Sequence, residues 1–500
     1  MANTSPSPKP CKKNQTQPNT KVRKLRKKIK KSQNNFKDRT SASNKIPSYS
    51  SSVEKVKKQK NLATSTLAAA TLLGSAGLIV SISWISILCI LNPHQVSWLN
   101  RFLPGWAKTT SNPKQRPYTM KEIQAEIKKQ KRIAGKILPL ESDTNKSFLL
   151  PVLRQRGNCH SDCKNIVELR TYHLATDFEW QSGTEKYYHL TTQFSVTGPE
   201  EYEVIAPLVE ANAEEKTGSS IPLPITEIGR FQKDTPKPGI WYYLRGNRSS
   251  GINLTAYGYI LHYNPSRRNL LNMIFWTSPT GDLPQWQQVT GGGDKELVVR
   301  QTVGLEPRLR VYQVKPSEFV VNPIKLSQIT LKPPALRDST YKDALLIARN
   351  GLWTPAYKSL KLIEKRQKGK MNTEAKAQID FIRLHSQLTK KLADTNWASP
   401  SQQVLAYLID GRWGEALKVF EASAQNATEI QNLLKADRGR LKNRIDAALE
   451  INPNRREVQA WKALIIASQQ GTNQAYSWLT TQSETAKDSQ RYIQKLLTQL

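Results

Sequence analysis

Cysteine is scarce, four in 500 residues, which excludes a disulfide-stapled small domain and any multi-cysteine zinc or iron–sulfur framework. Long apolar runs are scarcer still; there is a single one, too few for a multi-span transporter or channel. Acid is also short, with 40 Asp+Glu against 75 Lys+Arg and a formal charge of +35. The six histidines, His94, His160, His173, His189, His262 and His385, fall singly and never as H-E-x-x-H, so zincin-type hydrolysis has no support. G-x-S-x-G, Walker and G-x-G-x-x-G motifs are all missing. The S-x-x-K matches at Ser161 and Ser339 stand at the wrong distance from, or on the wrong side of, the K-T-G at Lys216 for a penicillin-binding site. The chain is nevertheless long enough for roughly three folded units.

Charge is distributed unevenly. The first 61 residues hold eighteen Lys/Arg against Asp38 and Glu54, a net +16, among Ser, Asn, Gln, Thr and Pro. Such a composition buries too little apolar surface to offset chain entropy and predicts a disordered basic arm over 1–61. Residues 62–91 then carry no charge. A helix of that length reaches about 45 Å, beyond the roughly 30 Å of a hydrocarbon core, so a transmembrane helix is expected there. The 60-odd residues before it are too many for the n-region of a cleaved signal peptide. Lys45, Lys55, Lys57, Lys58 and Lys60 outweigh Arg101 and Lys108 across the span. The positive-inside rule then predicts a single-pass protein of the plasma (inner) membrane, with its N-terminus cytoplasmic and its C-terminal domains extracytoplasmic, periplasmic at a cell envelope. Trp98, Leu99, Phe102, Leu103 and Trp106 would sit at the interface.

Residues 92–140 read as a juxtamembrane segment and stalk helix. Thr119-Met-Lys-Glu122 has capping-box spacing, but Ile123, Ile127 and Ala134 alone give the helix an apolar face, which predicts a solvated rod. Over 141–335 the period becomes two, as in Tyr188, Leu190, Thr192, Phe194 and Val196, with runs such as GIWYYLRG and NLTAYGYILHYN between turn clusters. An antiparallel, sandwich-like β-rich domain without intervening helices is expected.

Over 336–500 the period is helical and three segments align. Each has a helix-ending glycine, Gly351, Gly411 and Gly471, and a small residue near the next helix start, Ala356, Ala416 and Ala475; the first two add Trp353 and Trp413. Glycine ends a helix where a Cβ would clash, and alanine lets the paired helix approach closely. This pattern resembles the helix-turn-helix unit of tetratricopeptide repeat proteins over the C-terminal third, although its period is 60 rather than 34 and helical stretches are added at 374–392 and 428–450. The resemblance implies a stacked α-helical array that takes proteins or peptides in a concave groove. Arm and array together also resemble, in composition, membrane-anchored envelope proteins of cyanobacterial type.

Cys159-His-Ser-Asp-Cys163 is the one polar constellation with chemical potential. A local disulfide suits an oxidising compartment; free thiols, or a metal held with His160 or Asp162, are the other readings, the last without a second pair to close a tetrahedral site. No metal, cofactor or catalytic residue is expected. The arm has few aromatics, Phe36 and Tyr49, for base stacking, so anionic lipid headgroups suit it better than specific nucleic acid. Residues 62–500 still carry +19, which suits an acidic protein or an anionic wall polymer. The expected fold class is multidomain α+β: basic arm, one transmembrane helix, antiparallel β-rich domain and tetratricopeptide-like array. The expected function is a membrane-anchored scaffold for protein interaction at the envelope, not an enzyme. The rival is a wall- or glycan-processing enzyme using carboxylates of the β-rich domain such as Asp177, Glu179 or Glu201.

Overall fold

The computed structural model describes residues 116–141, 146–157, 163–175, 185–211, 218–250, 253–318, 323–367, 369–482 and 487–500. Sheet one holds β1 (Tyr118–Thr119), β2 (Ile133–Ala134), β3 (Leu138–Pro139), β4 (Ser147–Gln155), β5 (Lys164–Leu174) and β6 (Tyr187–Ser195), in the order β1-β6-β5-β4-β2 with β3 also on β4. Sheet two runs β10-β9-β8-β7, from β7 (Glu227–Arg230), β8 (Ile240–Ser250), β9 (Asn253–Asn264) and β10 (Asn269–Ser278). Sheet three runs in sequence order through β11 (Gln285–Gln287), β12 (Glu296–Arg300), β13 (Leu309–Pro316) and β14 (Ile324–Gln328). Every pairing is antiparallel.

Side-chain alternation stacks these sheets. Leu149 packs with Tyr242, Leu244 and Tyr257 between sheets one and two, while its neighbours Phe148 and Leu150 point to the other side of sheet one. Trp241, adjacent to Tyr242, turns instead toward Trp286, Leu297 and Val299 of sheet three. Val298, between those two, faces away again. Strands covered on both faces read as near-continuous apolar runs, which is why GIWYYL hardly alternates in sequence. The expected sandwich is thus a stack of three sheets.

The outer face of sheet one is covered by α1 (Met120–Lys129). Its capping box forms as the sequence indicates, but it is no solvated stalk: Ile123 and Ile127 are buried against Phe148, Leu150, Val152 and Tyr172. Two isoleucines at i, i+4 suffice when a flat apolar sheet receives them. A second helix, α2 (Glu201–Ala211), interrupts the β-rich part where none was expected.

The helical part comprises α3 (Ser339–Arg349), α4 (Trp353–Gln367), α5 (Thr373–Ala393), α6 (Pro400–Asp410), α7 (Trp413–Glu421), α8 (Ala424–Ala436), α9 (Arg440–Ile451), α10 (Arg456–Gln470), α11 (Thr472–Thr481) and α12 (Lys487–Leu497). It is not a separate core. Val289, Val298, Leu309, Val311 and Ile329 of the sheet-three region belong to the same buried cluster as Tyr341, Leu345, Leu360 and Ile382. Gln378 of α5 stitches the seam, donating to Thr330 and Pro333 carbonyls (both 2.8 Å) and accepting from the Ala335 N–H and the Tyr341 hydroxyl. At the far end α10 is buried from Val458 to Ser468 among its neighbours; the polar groups in that stretch are paired, Gln459 with the Pro453 carbonyl (2.8 Å) and Lys462 with Asp446.

Among the described residues no helix is long and apolar enough to cross a membrane. The longest, α5, has 21 residues but includes Glu374, Lys376, Asp380, Arg383, Lys390 and Lys391, and α10 stops at 15 residues against the roughly 20 that a span needs. Residues 62–91 and the basic arm, with its lipid reading, lie outside the described residues. The single-pass fold class, the transmembrane helix and the inner-membrane, extracytoplasmic placement expected above are corrected accordingly. The supported architecture is a β-rich part of antiparallel sheets joined to a C-terminal helical array.

The three aligned segments form helix pairs, α3–α4, α6–α7 and α10–α11. Gly351 and Gly411 sit at φ +85° and +76°, where an added Cβ would lie 2.6 Å from Arg444 Nη2 and 2.7 Å from Pro355 Cγ respectively. Gly471 has φ +95° with open space around it. Ala356, Ala416 and Ala475 are all fully buried, as is Trp413, while Trp353 is half-buried. Ala416→Leu is expected to overpack the α6–α7 pair and cost about 1–3 kcal/mol. Urea denaturation measures this, and an unchanged midpoint would show that the pair has room to spare.

Candidate functional site

Cys163 is disulfide-bonded, and Cys159 lies outside the described residues. A cavity of about 490 Å³ beside Cys163 is lined by Leu153, Arg156, Lys164, Asn165 and Thr226, with no carboxylate among its described lining. Asp177 and Glu179 also lie outside the described residues. Glu201 accepts from the Ser219 hydroxyl (2.7 Å), the Ser219 N–H (3.1 Å) and Arg248 Nε (2.8 Å), which together push its carboxyl down to about 2. A carboxylate so held is ionised at every working pH, a structural anchor rather than a proton donor.

The strand histidines do not converge. His173 and His189 are register partners on β5 and β6, but it is Tyr263 whose hydroxyl meets His173 Nε2 (3.0 Å); His262, one residue earlier, points the opposite way against Trp241. Burial pushes His173 down to about 4, with the Arg268 charge adding to it. His385 is likewise pushed down to about 4 by burial; its Nε2 accepts the Leu309 N–H (3.1 Å) and its Nδ1 donates to the Phe381 carbonyl (3.0 Å). Among the described residues no group of three His, Cys, Asp or Glu could hold a metal ion.

At the helix turns lies a buried polar knot. Asp410 accepts from the Thr354 and Thr389 hydroxyls and from Arg412 Nε (2.8 Å), and Arg412 Nη2 reaches Asp394 (2.6 Å). One carboxylate thereby ties the first turn of α4 to α5 and to the turn before α7. The tie fixes where α4 stands.

The outer face of α4 is the feature that sequence reasoning missed. Lys358, Lys361, Leu362, Lys365 and Arg366 follow the i, i+3, i+4, i+7, i+8 rule of a single helix face, opposite the buried Ala356, Leu360 and Ile363. All five are exposed, Leu362 to 60%. Arg366 Nε makes a long contact to the Leu362 carbonyl (3.4 Å), and none of the four cations forms an ion pair with a described residue. Glu364 is exposed on the flank. Four uncompensated cations around one exposed leucine suit an anionic surface that offers an apolar contact at its centre. The signal was legible in the spacing of KSLKLIEKR, which the apolar side of the same helix had overshadowed.

The chain matches no family model and no curated protein.

Proposed function

We propose that the protein is a binding scaffold, not a catalyst, and that it takes an acidic protein segment with an apolar side chain on the outer face of α4. The exposed stripe Lys358, Lys361, Leu362, Lys365 and Arg366 carries this reading. The described buried histidines and Glu201 are committed to internal bonds, and the Asp410 knot together with the shared core holds α4 rigid, as a recognition surface requires. The tetratricopeptide resemblance would place a ligand in a concave groove. Burial of α10 on all sides fills that end of the array and favours the outer face instead.

The test is fluorescence anisotropy of a labelled glutamate-rich peptide with a central leucine, titrated with the full-length chain at several salt concentrations. Lys361→Glu with Lys365→Glu is expected to weaken binding at least about tenfold, because like charges across an interface cost several kcal/mol. Leu362→Ser is expected to weaken it less and to leave the salt dependence intact. Equal affinity of wild type and the charge-reversed variant would move the binding surface elsewhere.

A further inference from the structure

The three most exposed large apolar side chains among the described residues are Ile221 (67%), Leu362 (60%) and Tyr202 (50%). They occupy two places. Leu362 stands on the cationic face of α4. Tyr202 and Ile221 share one corner of the β-rich part: the Glu201 N–H donates to the Ile221 carbonyl (3.2 Å) and the Tyr202 N–H to the Ser219 carbonyl (3.1 Å).

That corner is built. The Glu201 carboxylate clamps Ser219 and Arg248, and Gly218 lets the 218–222 segment lie against the start of α2, where a Cβ would come within 2.7 Å of the Tyr202 nitrogen. Its charge is acidic. Glu200, Glu201 and Glu203 flank Tyr202 along the chain at the start of α2; Arg248 balances Glu201, and Glu203 Oε2 accepts the Glu200 N–H (3.1 Å). One face thus carries an apolar tip among four cations, and the other carries two apolar tips next to Glu200 and Glu203, neither of which forms an ion pair with a described residue.

We infer that the partner for the α4 face is the Tyr202–Ile221 corner of a second copy of this chain. The inference rests on the proposed binding role of α4 and names its occupant. Leu362 meets Tyr202 and Ile221, while Lys358, Lys361, Lys365 and Arg366 face Glu200 and Glu203. Because the two patches differ, the contact is head-to-tail, and a growing chain keeps one free patch of each kind, one at either end. One helix face on one corner is a small contact, so the assembly is weak, reversible and sensitive to salt.

Sedimentation velocity of the full-length chain tests this, from micromolar to high-micromolar concentration at low and high salt. The expected result is a sedimentation coefficient that climbs with concentration at low salt and stays monomeric at high salt. Lys361→Glu with Lys365→Glu should abolish the climb, and so should Glu200→Lys with Glu203→Lys. Mixing the two variants should restore it, since each then offers the charge the other lost; restoration also shows that both variants are folded. A wild type that stays monomeric throughout yet binds the glutamate-rich peptide through α4 overturns the second copy as partner and leaves the proposed function standing. Self-association that survives both variants, or that mixing fails to restore, overturns the pairing. Loss of peptide binding and of self-association alike in the wild type would overturn both readings.

Discussion

Trp461→Ala is expected to remove about 3–5 kcal/mol of stability, as large-to-small changes at fully buried aromatic positions do. Trp461 sits at the centre of α10 with no exposed surface, gives its indole N–H to the Trp413 carbonyl (3.0 Å) and meets Phe420 edge-on at 6.2 Å between ring centres. Truncation therefore leaves a cavity and removes the hydrogen bond that ties α10 to the start of α7. The reach of the damage is the informative part. An independent solenoid would unfold alone, because its units are stabilised by their neighbours and by nothing else. Here the cluster containing Trp461 continues through Leu408, Ile382 and Tyr341 to Val298 and Val311 of sheet three. Hydrogen exchange by mass spectrometry should consequently show amides of 297–300 and of 460–467 losing protection together in the variant. Protection retained in sheet three while α10 opens would mean that the helical array and the β-rich part fold separately.

The helix pairs were legible because their punctuation is local. Gly351 and Gly411 occupy left-handed conformations that glycine adopts freely, and Ala356 and Ala416 lie at the close approach, so one-dimensional spacing carried three-dimensional content. Elements whose fate depends on a distant surface were not legible. Ile123 and Ile127 look too few to bury a helix until sheet one is seen beneath them. Glu201–Ala211 contains Pro207 in its interior, which reads as a break although the helix forms around it. The near-continuous apolar runs of β8 and β12 go with cover on both faces but do not say which layer supplies it. The stripe on α4 was visible as periodicity; its exposure was not, since any basic helix face could have been covered by a neighbouring acidic element. Asp410 could not have been singled out either, because Thr354 and Thr389, which bond it, lie 56 and 21 residues away.

Acidification from pH 7 to pH 4 is expected to destabilise the protein by roughly 3–4 kcal/mol, at 1.36 kcal/mol per pKa unit. His385 and His173 are held near 4 in the folded chain, against about 6.5 unfolded. Between those values the unfolded chain binds protons that the folded chain refuses, so the stabilisation is complete above pH 6.5 and is lost as pH falls toward 4. Asp380 opposes the trend. Burial raises its carboxyl to about 6 from 3.8, despite the Arg383 guanidinium 2.9 Å away, so the folded chain takes up this proton first and gains stability over the same fall in pH. Two losses of about 2.5 units and one gain of about 2 leave the net loss stated. At His385 the cost has a structural cause. Nε2 already accepts the Leu309 N–H, so a proton there would set two donors face to face at the seam between sheet three and α5, beneath the Trp353 ring stacked 4.0 Å away. Thermal melting of wild type and of His385→Gln across pH 4–7 measures the effect. The glutamine variant starts from a lower melting temperature at pH 7 but should show only about a sixth of the wild-type slope between pH 6.5 and 4, because its amide accepts the Leu309 N–H without titrating and the remaining loss at His173 is nearly offset by the gain at Asp380. A variant slope equal to that of the wild type would remove His385 from the acid sensitivity and leave it to His173, to His262, which burial also lowers, and to Glu201, and a flat wild-type profile would overturn the net loss.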